Sequence, residues 1–363
     1  MNTNRRSFVK VSAALAASAP FILTTRAQEP QKKLGVALVG LGSLATNQIA
    51  PALAKNTKLC QLTALVSGTP EKLTKWQAQY GIPASHCYSY EQFDSLKDNP
   101  DVDIVYVVLP NSLHPEYVIR AAKAGKHVFT EKPMANSAAE CQQMIDACRQ
   151  AKRKLGVAYR CQFTPHHLEM IRLSRYEVFG KLKCVEAAFG FKIGDPKQWR
   201  LRKALAGGGA LMDVGIYALQ GMRYLVGEEP VSVQAFETKT DKVKFAEVDE
   251  TITWELKFPG GVLAKGATSY AFNGMNYLRG LADNGWFELG PQAYGYGGLN
   301  GRTSKGPLDL PQVDHFAAEL DDFAECILKN RPTRVPGEEG LADLKVIEGI
   351  YRSIAEGKAI KLG

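Results

Sequence analysis

The chain has 363 residues, 45% of them hydrophobic, and a formal net charge of +8. That length holds about two domains and buries a sizeable core. Four positive charges (Arg5, Arg6, Lys10, Arg26) fall in the acid-free first 27 residues, and the remainder carries 41 basic against 37 acidic residues, which excludes a nucleic-acid-binding surface on balance and dispersion.

Asn4-Arg5-Arg6-Ser7-Phe8-Val9-Lys10 precedes an apolar stretch from Val11 to about Leu23. Paired arginines ahead of a moderately apolar segment have the form of a twin-arginine export signal. The stretch is short and alanine-rich, and Pro20 interrupts it, which argues against a spanning anchor. Thr25 and Ala27 flank Arg26 with small residues. Residues 1–27 are therefore expected to be a signal peptide cleaved after Ala27, and the protein to be periplasmic without a stable membrane anchor. The seven cysteines form no Cys-x-x-Cys pair and no zinc-spaced cluster, so they read as buried small hydrophobes, and no metal site is expected.

Leu34–Val39 is a near-continuous apolar run, as in a strand buried on both faces. Gly40-Leu41-Gly42-Ser43-Leu44-Ala45 follows, then a helical pattern through Ala54. Gly-x-Gly-x-x-Ala between a strand and a helix is a dinucleotide-binding turn. The first glycine turns the chain, the second admits a pyrophosphate, and the third small residue lets helix and strand pack. The next strand, Leu62–Val66, ends in Ser67-Gly68-Thr69-Pro70-Glu71-Lys72, with no acid for a ribose hydroxyl and a cation close behind. That pattern predicts NADP over NAD, held at Ser67 and Lys72; Lys72 also fits a solvated first-turn lysine.

Helix Glu71–Tyr80, strand Val102–Leu109, helix Pro115–Ala124, strand His127–Thr130, helix Ser137–Lys152 and strand Lys154–Ala158 complete a doubly wound parallel sheet over residues 28–158. Leu109, Asn111 and His114 fall at the nicotinamide end of its cleft, although His114 equally fits an ordinary first residue of a helix. Glu131-Lys132-Pro133 ends a strand at the carboxyl edge, where ligands bind in open parallel sheets. Read alone, Lys132 fits a solvated loop lysine better than a catalytic one, since most lysines are solvated.

After a helix at Pro165–Arg175 the pattern changes. Segments Lys183–Lys192, Val231–Lys239, Glu250–Phe258, Val262–Ala271 and Leu278–Leu289 succeed one another with few helices between, which predicts an open, mostly antiparallel sheet over residues 159–363. Helices Gln312–Lys329 and Gly340–Glu356 close the chain. Between the first two strands lie Trp199-Arg200-Leu201-Arg202 and the run Gly207 to Tyr217. Its three glycines are expected to form a tight loop that lets a ligand approach a helix start. Asp213 and Tyr217 follow at i and i+4, on one face. That spacing fits an acid–base pair, and equally a capping aspartate with a core tyrosine. A free tyrosine, with a pKa near ~10, is a weak base at neutral pH, and a cation beside it strengthens it. Lys132 is the expected cation, and Arg160 is expected to line the same cleft.

These motifs, with Tyr159-Arg160-Cys161, Tyr224-Leu225-Val226-Gly227-Glu228-Glu229-Pro230 and Pro336-Gly337-Glu338-Glu339-Gly340, resemble the glucose–fructose oxidoreductase and inositol dehydrogenase family across both halves of the chain. The match is to its glucose–fructose and aldose–aldose oxidoreductase branch. The resemblance implies that Lys132 and Tyr217 are catalytic with Asp213 assisting, and that Trp199 and Arg200 reach the cofactor from the second domain. The full set of expected cofactor contacts is Gly40, Gly42, Ser43, Leu44, Ser67, Lys72, Leu109, Asn111, His114, Glu131, Lys132, Arg160, Trp199 and Arg200. It further implies a tightly bound NADP and two sugar half-reactions: an aldose oxidised at C1 to its lactone, then a second sugar reduced to the alditol. A homo-oligomer, dimer or tetramer, joined through the second sheet is expected. Only Gln28 to Lys33 separate the signal from the first strand, where enzymes of this branch carry a long proline-rich arm. The rival readings are an NAD-dependent glycosidase of the same family, a dehydrogenase with exchangeable cofactor, and a non-catalytic sugar-binding protein.

Overall fold

The structure is a computed structural model, and it describes residues 33–363, so the expected signal peptide lies outside the described residues. Six strands form the first sheet: β1 (Leu34–Val39), β2 (Cys60–Val66), β3 (Cys87–Tyr88), β4 (Ile104–Val107), β5 (His127–Thr130) and β6 (Leu155–Val157). Their order is β3-β2-β1-β4-β5-β6, and every pairing is parallel. The order reverses at β1, so a crevice opens between β1 and β4 at the carboxyl edge. All of β1 after Leu34 is buried, which explains its unbroken apolar run.

Helices α1 (Ala50–Lys55), α2 (Pro70–Tyr80), α3 (His114–Lys123) and α4 (Ala138–Gln150) make the crossovers. The first turn after the glycines is a wide π turn, Ala45–Ile49, that runs into α1. Local chemistry fixes the start of α4. Ser137 Oγ accepts from the Glu140 amide, and the Glu140 carboxylate reaches back to the Asn136 amide and the Ser137 hydroxyl. This reciprocal box satisfies orphan donors at the helix start and typically contributes about 1 kcal/mol. It also anchors the segment that leaves Lys132.

The second sheet has nine strands: β7 (Leu182–Gly190), β8 (Ser232–Thr238), β9 (Thr251–Lys257), β10 (Leu263–Ser269), β11 (Asn276–Ala282), β12 (Gly285–Leu289), β13 (Gly301–Thr303), β14 (Gly306–Leu308) and β15 (Ile360–Lys361). The order is β14-β13-β12-β11-β7-β10-β9-β8-β15, antiparallel except for β7 beside β10. The single segment expected over Leu278–Leu289 is a hairpin of β11 and β12, turned at Asp283-Asn284. The hairpin β13–β14 and the short strands β3 and β15 carry too few residues to show a period.

Helices α5 (Pro165–Arg175), α6 (Lys203–Ala206), α7 (Ile216–Val226), α8 (His315–Leu328) and α9 (Gly337–Glu356) complete the fold. α7 lies across β7, β10 and β11. α8 packs against β2 and α1, and Asp321 on it accepts from the Lys58 and Leu59 amides. The helical cover of the first sheet therefore draws on chain from both sides of residue 158. α9 touches α4 and β6 on one side and β8 on the other, so residues 33–363 form one compact unit. Five cysteines are buried as expected, whereas Cys87 and Cys184 are only partly so.

Candidate active site at the carboxyl edge of the first sheet

A cleft of about 520 Å³ opens beyond β1 and β4. Its floor is the turn Gly40–Leu44. Gly40 has φ +93, and a Cβ there would lie 2.2 Å from the Val108 carbonyl oxygen. Gly42 faces open space, with nothing within 4 Å of where a Cβ would stand. The turn is thus pinned on one side and bare on the other, which leaves room for a pyrophosphate against the backbone. At the β2 end the wall is Ser67, Gly68, Thr69, Lys72 and Tyr90. The only carboxylates lining the cleft among the described residues are Glu131 and Asp213, at the opposite end. The β2 end thus presents an exposed lysine and no acid, a donor set that would suit a phosphate. The cleft fits a dinucleotide, and the residues that would hold it are those of the Gly40–Leu44 turn, Ser67 and Lys72.

The inner end is built by Lys132, Asp213, Tyr217, Arg160 and Arg200. Lys132 Nζ donates to the Asp213 carbonyl oxygen at 2.6 Å and to its Oδ1 at 3.3 Å. Arg200 Nε donates to Asp213 Oδ2 at 3.1 Å, and the Tyr270 hydroxyl to the same oxygen at 2.8 Å. Burial works against this carboxylate's charge, but Arg200, Lys132 and the Tyr270 hydroxyl together hold its pKa down at about 2. Asp213 is therefore ionised throughout the working range. It fixes two cations and is no proton carrier.

Tyr217 opens α7 with its ring against Phe189 and Tyr294. Its side chain makes no hydrogen bond to Asp213, whose oxygens are taken by stronger donors. The expected arrangement of lysine beside phenol is also different in detail. Lys132 Nζ sits over the face of the ring, 4.7 Å from its centroid. The side chain that reaches the phenol oxygen is Arg160, with Nε donating at 3.3 Å. Burial raises the Tyr217 pKa well above the usual phenol value, opposed by Arg160 and assisted by Cys161 and Glu131.

The three glycines before α7 serve packing rather than ligand approach. A Cβ on Gly209 would meet the Asp249 carbonyl oxygen at 2.0 Å, and one on Gly208 the Tyr351 hydroxyl at 2.0 Å. Asp249 accepts from the Gly209 and Leu211 amides at 2.6 and 2.8 Å and so caps the turn that carries Asp213. His114 likewise stands outside the cleft. It is fully buried, with Nδ1 3.0 Å from the Pro133 carbonyl oxygen and Nε2 2.8 Å from that of Leu109. It braces the exits of β4 and β5, and no surface of it faces a cofactor. Burial lowers its pKa.

The cleft does bring together Leu109, Asn111, Glu131, Trp199 and Arg200. Asn111 Nδ2 donates to the Ala206 carbonyl at 2.9 Å, and Glu131 accepts from the Tyr106 hydroxyl at 2.7 Å. Sequence reasoning missed Tyr90, Tyr270, Tyr296 and Phe316. Tyr296 and Phe316 wall the inner end and pack on each other at 5.5 Å between centroids. Tyr296 sits in the run Tyr294-Gly295-Tyr296-Gly297-Gly298, and two tyrosines interleaved with glycines were the signal available.

Three domain descriptions cover most of the chain. Residues 34–159 match "Oxidoreductase family, NAD-binding Rossmann fold", 167–288 the "GFO/IDH/MocA C-terminal domain" and 307–362 "Oxidoreductase family, C-terminal alpha/beta domain". The chain is 30% identical over 335 residues to D-xylose 1-dehydrogenase [NADP(+)] of Haloarcula marismortui, covering 90% of this chain and 92% of that protein. The crystal structure of aldose-aldose oxidoreductase from Caulobacter crescentus, complexed with glycerol, is 50% identical, with a TM-score of 0.89 over 91% of this chain and all of that one. Levoglucosan dehydrogenase in complex with NADH and levoglucosan shares the fold at 22% identity, with a TM-score of 0.76 over 91% of this chain and 100% of its own. The chain belongs to the GFO/IDH/MocA family of oxidoreductases, with an NAD(P)-binding Rossmann fold at its amino-terminal end.

Proposed function

We propose that this protein is an NADP-dependent sugar oxidoreductase that oxidises an aldose at C1 to the lactone and reduces a second sugar to the alditol in the same cleft. The observation that carries the reading is the meeting of Lys132 and Tyr217 at the inner end of a cleft floored by the Gly40–Leu44 turn. A nicotinamide bound there supplies the acceptor and donor of the hydride. Tyr217 takes the proton of the C1 hydroxyl as the C1–H bond breaks, and returns a proton to the carbonyl oxygen of the second sugar. Lys132 keeps one N–H beyond the two that Asp213 accepts, and directs it at the sugar oxygen. The 50% identity to an aldose–aldose oxidoreductase supports an aldose as substrate.

Export through the Arg5-Arg6 signal supports a cofactor that stays bound, because the periplasm offers little free nucleotide. Adding glucose or xylose to the purified protein is expected to raise nicotinamide absorbance to one equivalent per chain without added nucleotide, and a second sugar to reverse it. No change on either addition sinks the reading. The NADP(+)-named xylose dehydrogenase favours a second possibility, a dehydrogenase with exchangeable cofactor. Loss of the nucleotide on dialysis, with activity restored by NADP, selects that one.

The outer face of the second sheet carries exposed Phe236, Tyr277 and Leu263. Exposed aromatics set among Glu186, Glu255 and Lys265 on one sheet face support self-association.

A further inference from the structure

Arg160 is 3% exposed, matched among the described arginines by Arg223. Its guanidinium is held at three points. Nη1 donates to the Gly295 carbonyl at 3.1 Å, Nη2 to the Tyr294 carbonyl at 2.6 Å and Nε to the Tyr217 hydroxyl at 3.3 Å. Its carbon lies 4.8 Å from the Tyr217 ring centroid and 4.8 Å from that of Tyr296. Two backbone carbonyls thus aim the third donor at the one oxygen that must gain and lose a proton.

Lys132 is placed differently. It stands over the ring face, and two of its three N–H groups go to Asp213, whose carboxylate neutralises much of its charge at that range. A donor pointed at the oxygen separates phenolate from phenol more strongly than a cation over the ring does. An arginine also stays charged when buried, where a lysine readily loses its proton.

We propose that Arg160 is a catalytic residue, the one that sets the proton affinity of Tyr217, and that the segment Tyr294–Tyr296 aims it. Lys132 then serves the sugar oxygen and the placement of Asp213. The other ionisable groups facing the Tyr217 side chain are Tyr106 on β4, Glu131 and Lys132 from the loop after β5, Cys161 from the turn before α5, and Tyr294 and Tyr296 from the loop after β12. Of these only Lys132 carries a positive charge, so removing each cation in turn separates the two contributions. The loop is part of the device. Tyr294 and Gly295 present carbonyls inward, and Tyr296 covers the guanidinium from the cleft side, so a sugar that displaces Tyr296 moves the cation seated on Tyr217.

This assignment rests on the proposed role of Tyr217 in proton transfer, and the experiment reads the coupling without turnover. Difluorotyrosine, a more acidic phenol, is placed at position 217, and its ionisation is followed by fluorine NMR against pH in cofactor-free protein. Arg160→Met is expected to raise the midpoint by about 1–3 units. Lys132→Met is expected to raise it by less than half as much, and Arg160→Lys to fall between native and Arg160→Met. A Lys132→Met shift equal to or larger than that of Arg160→Met overturns the proposal, as does an Arg160→Met midpoint that does not move. Thermal melting checks each variant. If Arg160→Met does not fold, Arg160→Lys is compared with Lys132→Met, and a larger shift for Lys132→Met overturns the proposal. Failure of sugar oxidation would sink the proposed function and leave the measured coupling standing.

Discussion

Asp213 lies in the cleft, where its carboxylate is taken up by Lys132, Arg200 and Tyr270. Its folded pKa of about 2 lies below the unfolded value of ~3.9, so its ion pairs stabilise the fold above the unfolded value and are lost as pH falls through about 2. Asp213→Asn is expected to cost about 2 kcal/mol at neutral pH by urea unfolding, a cost that shrinks as pH falls and is gone only below the folded pKa. Tyr217 carries the opposite sign in chemistry. Burial keeps it a phenol in the open cleft, so the half-reaction that takes a proton should quicken as pH rises, while the one that gives a proton to sugar should stay flat until the phenol itself ionises. Stopped-flow rates of each half-reaction against pH test this, and parallel profiles would contradict it. Tyr217→Phe is expected to lower both by roughly 10²–10⁴-fold while leaving nucleotide binding intact, as judged by equilibrium binding. Lys132, Asp213 and Tyr217 were legible because two of them sit in one short run and the third in a strand-end motif. The partner of the phenol oxygen was not. Arg160 and Tyr217 are 57 positions apart, and the carbonyls that aim Arg160 lie a further 77 and 78 positions on. Only the tertiary fold joins them.

Among the elements, the wide turn Leu211–Gly215 matters most, since it hands Asp213 and Tyr217 to the cleft. It is held by the Asp249 carboxylate just before β9, and the glycines ahead of it make room for the Asp249 backbone, the Tyr351 hydroxyl and the Asn136 side chain. Gly209→Ala would drive a methyl into the Asp249 backbone and is expected to cost about 1–3 kcal/mol, with turnover falling and the cofactor site, formed by the other sheet, unaffected. Urea unfolding with nucleotide titration separates the two. Apart from the two-residue edge strand β3, which sequence reasoning missed, the elements of the first sheet were legible within a residue or two because parallel strands buried on both faces leave plain apolar runs. Those of the second sheet were legible in kind. The β11–β12 hairpin merged into one run because its turn, Asp283-Asn284, is only two residues long. The β13–β14 hairpin is too short to show alternation.

At the scale of the whole molecule, α8 and α9 return the end of the chain to the first sheet, so cofactor wall and sugar wall are parts of one unit. Sequence patterns show strands in order but not which sheet a late helix covers, since either face is apolar. The outer sheet face gives a separate prediction. Phe236→Glu with Tyr277→Glu is expected to shift a dimer or tetramer towards monomer by light scattering, with the melting temperature of the isolated chain little changed. The central claim is that the cleft holds NADP and reduces it with an aldose. Mass analysis of the nucleotide released from protein purified without any added, before and after aldose, tests it most directly. The account predicts NADP⁺ before and NADPH after, near one per chain. Nucleotide that is absent, or NADP⁺ left unchanged by the sugar, would contradict it.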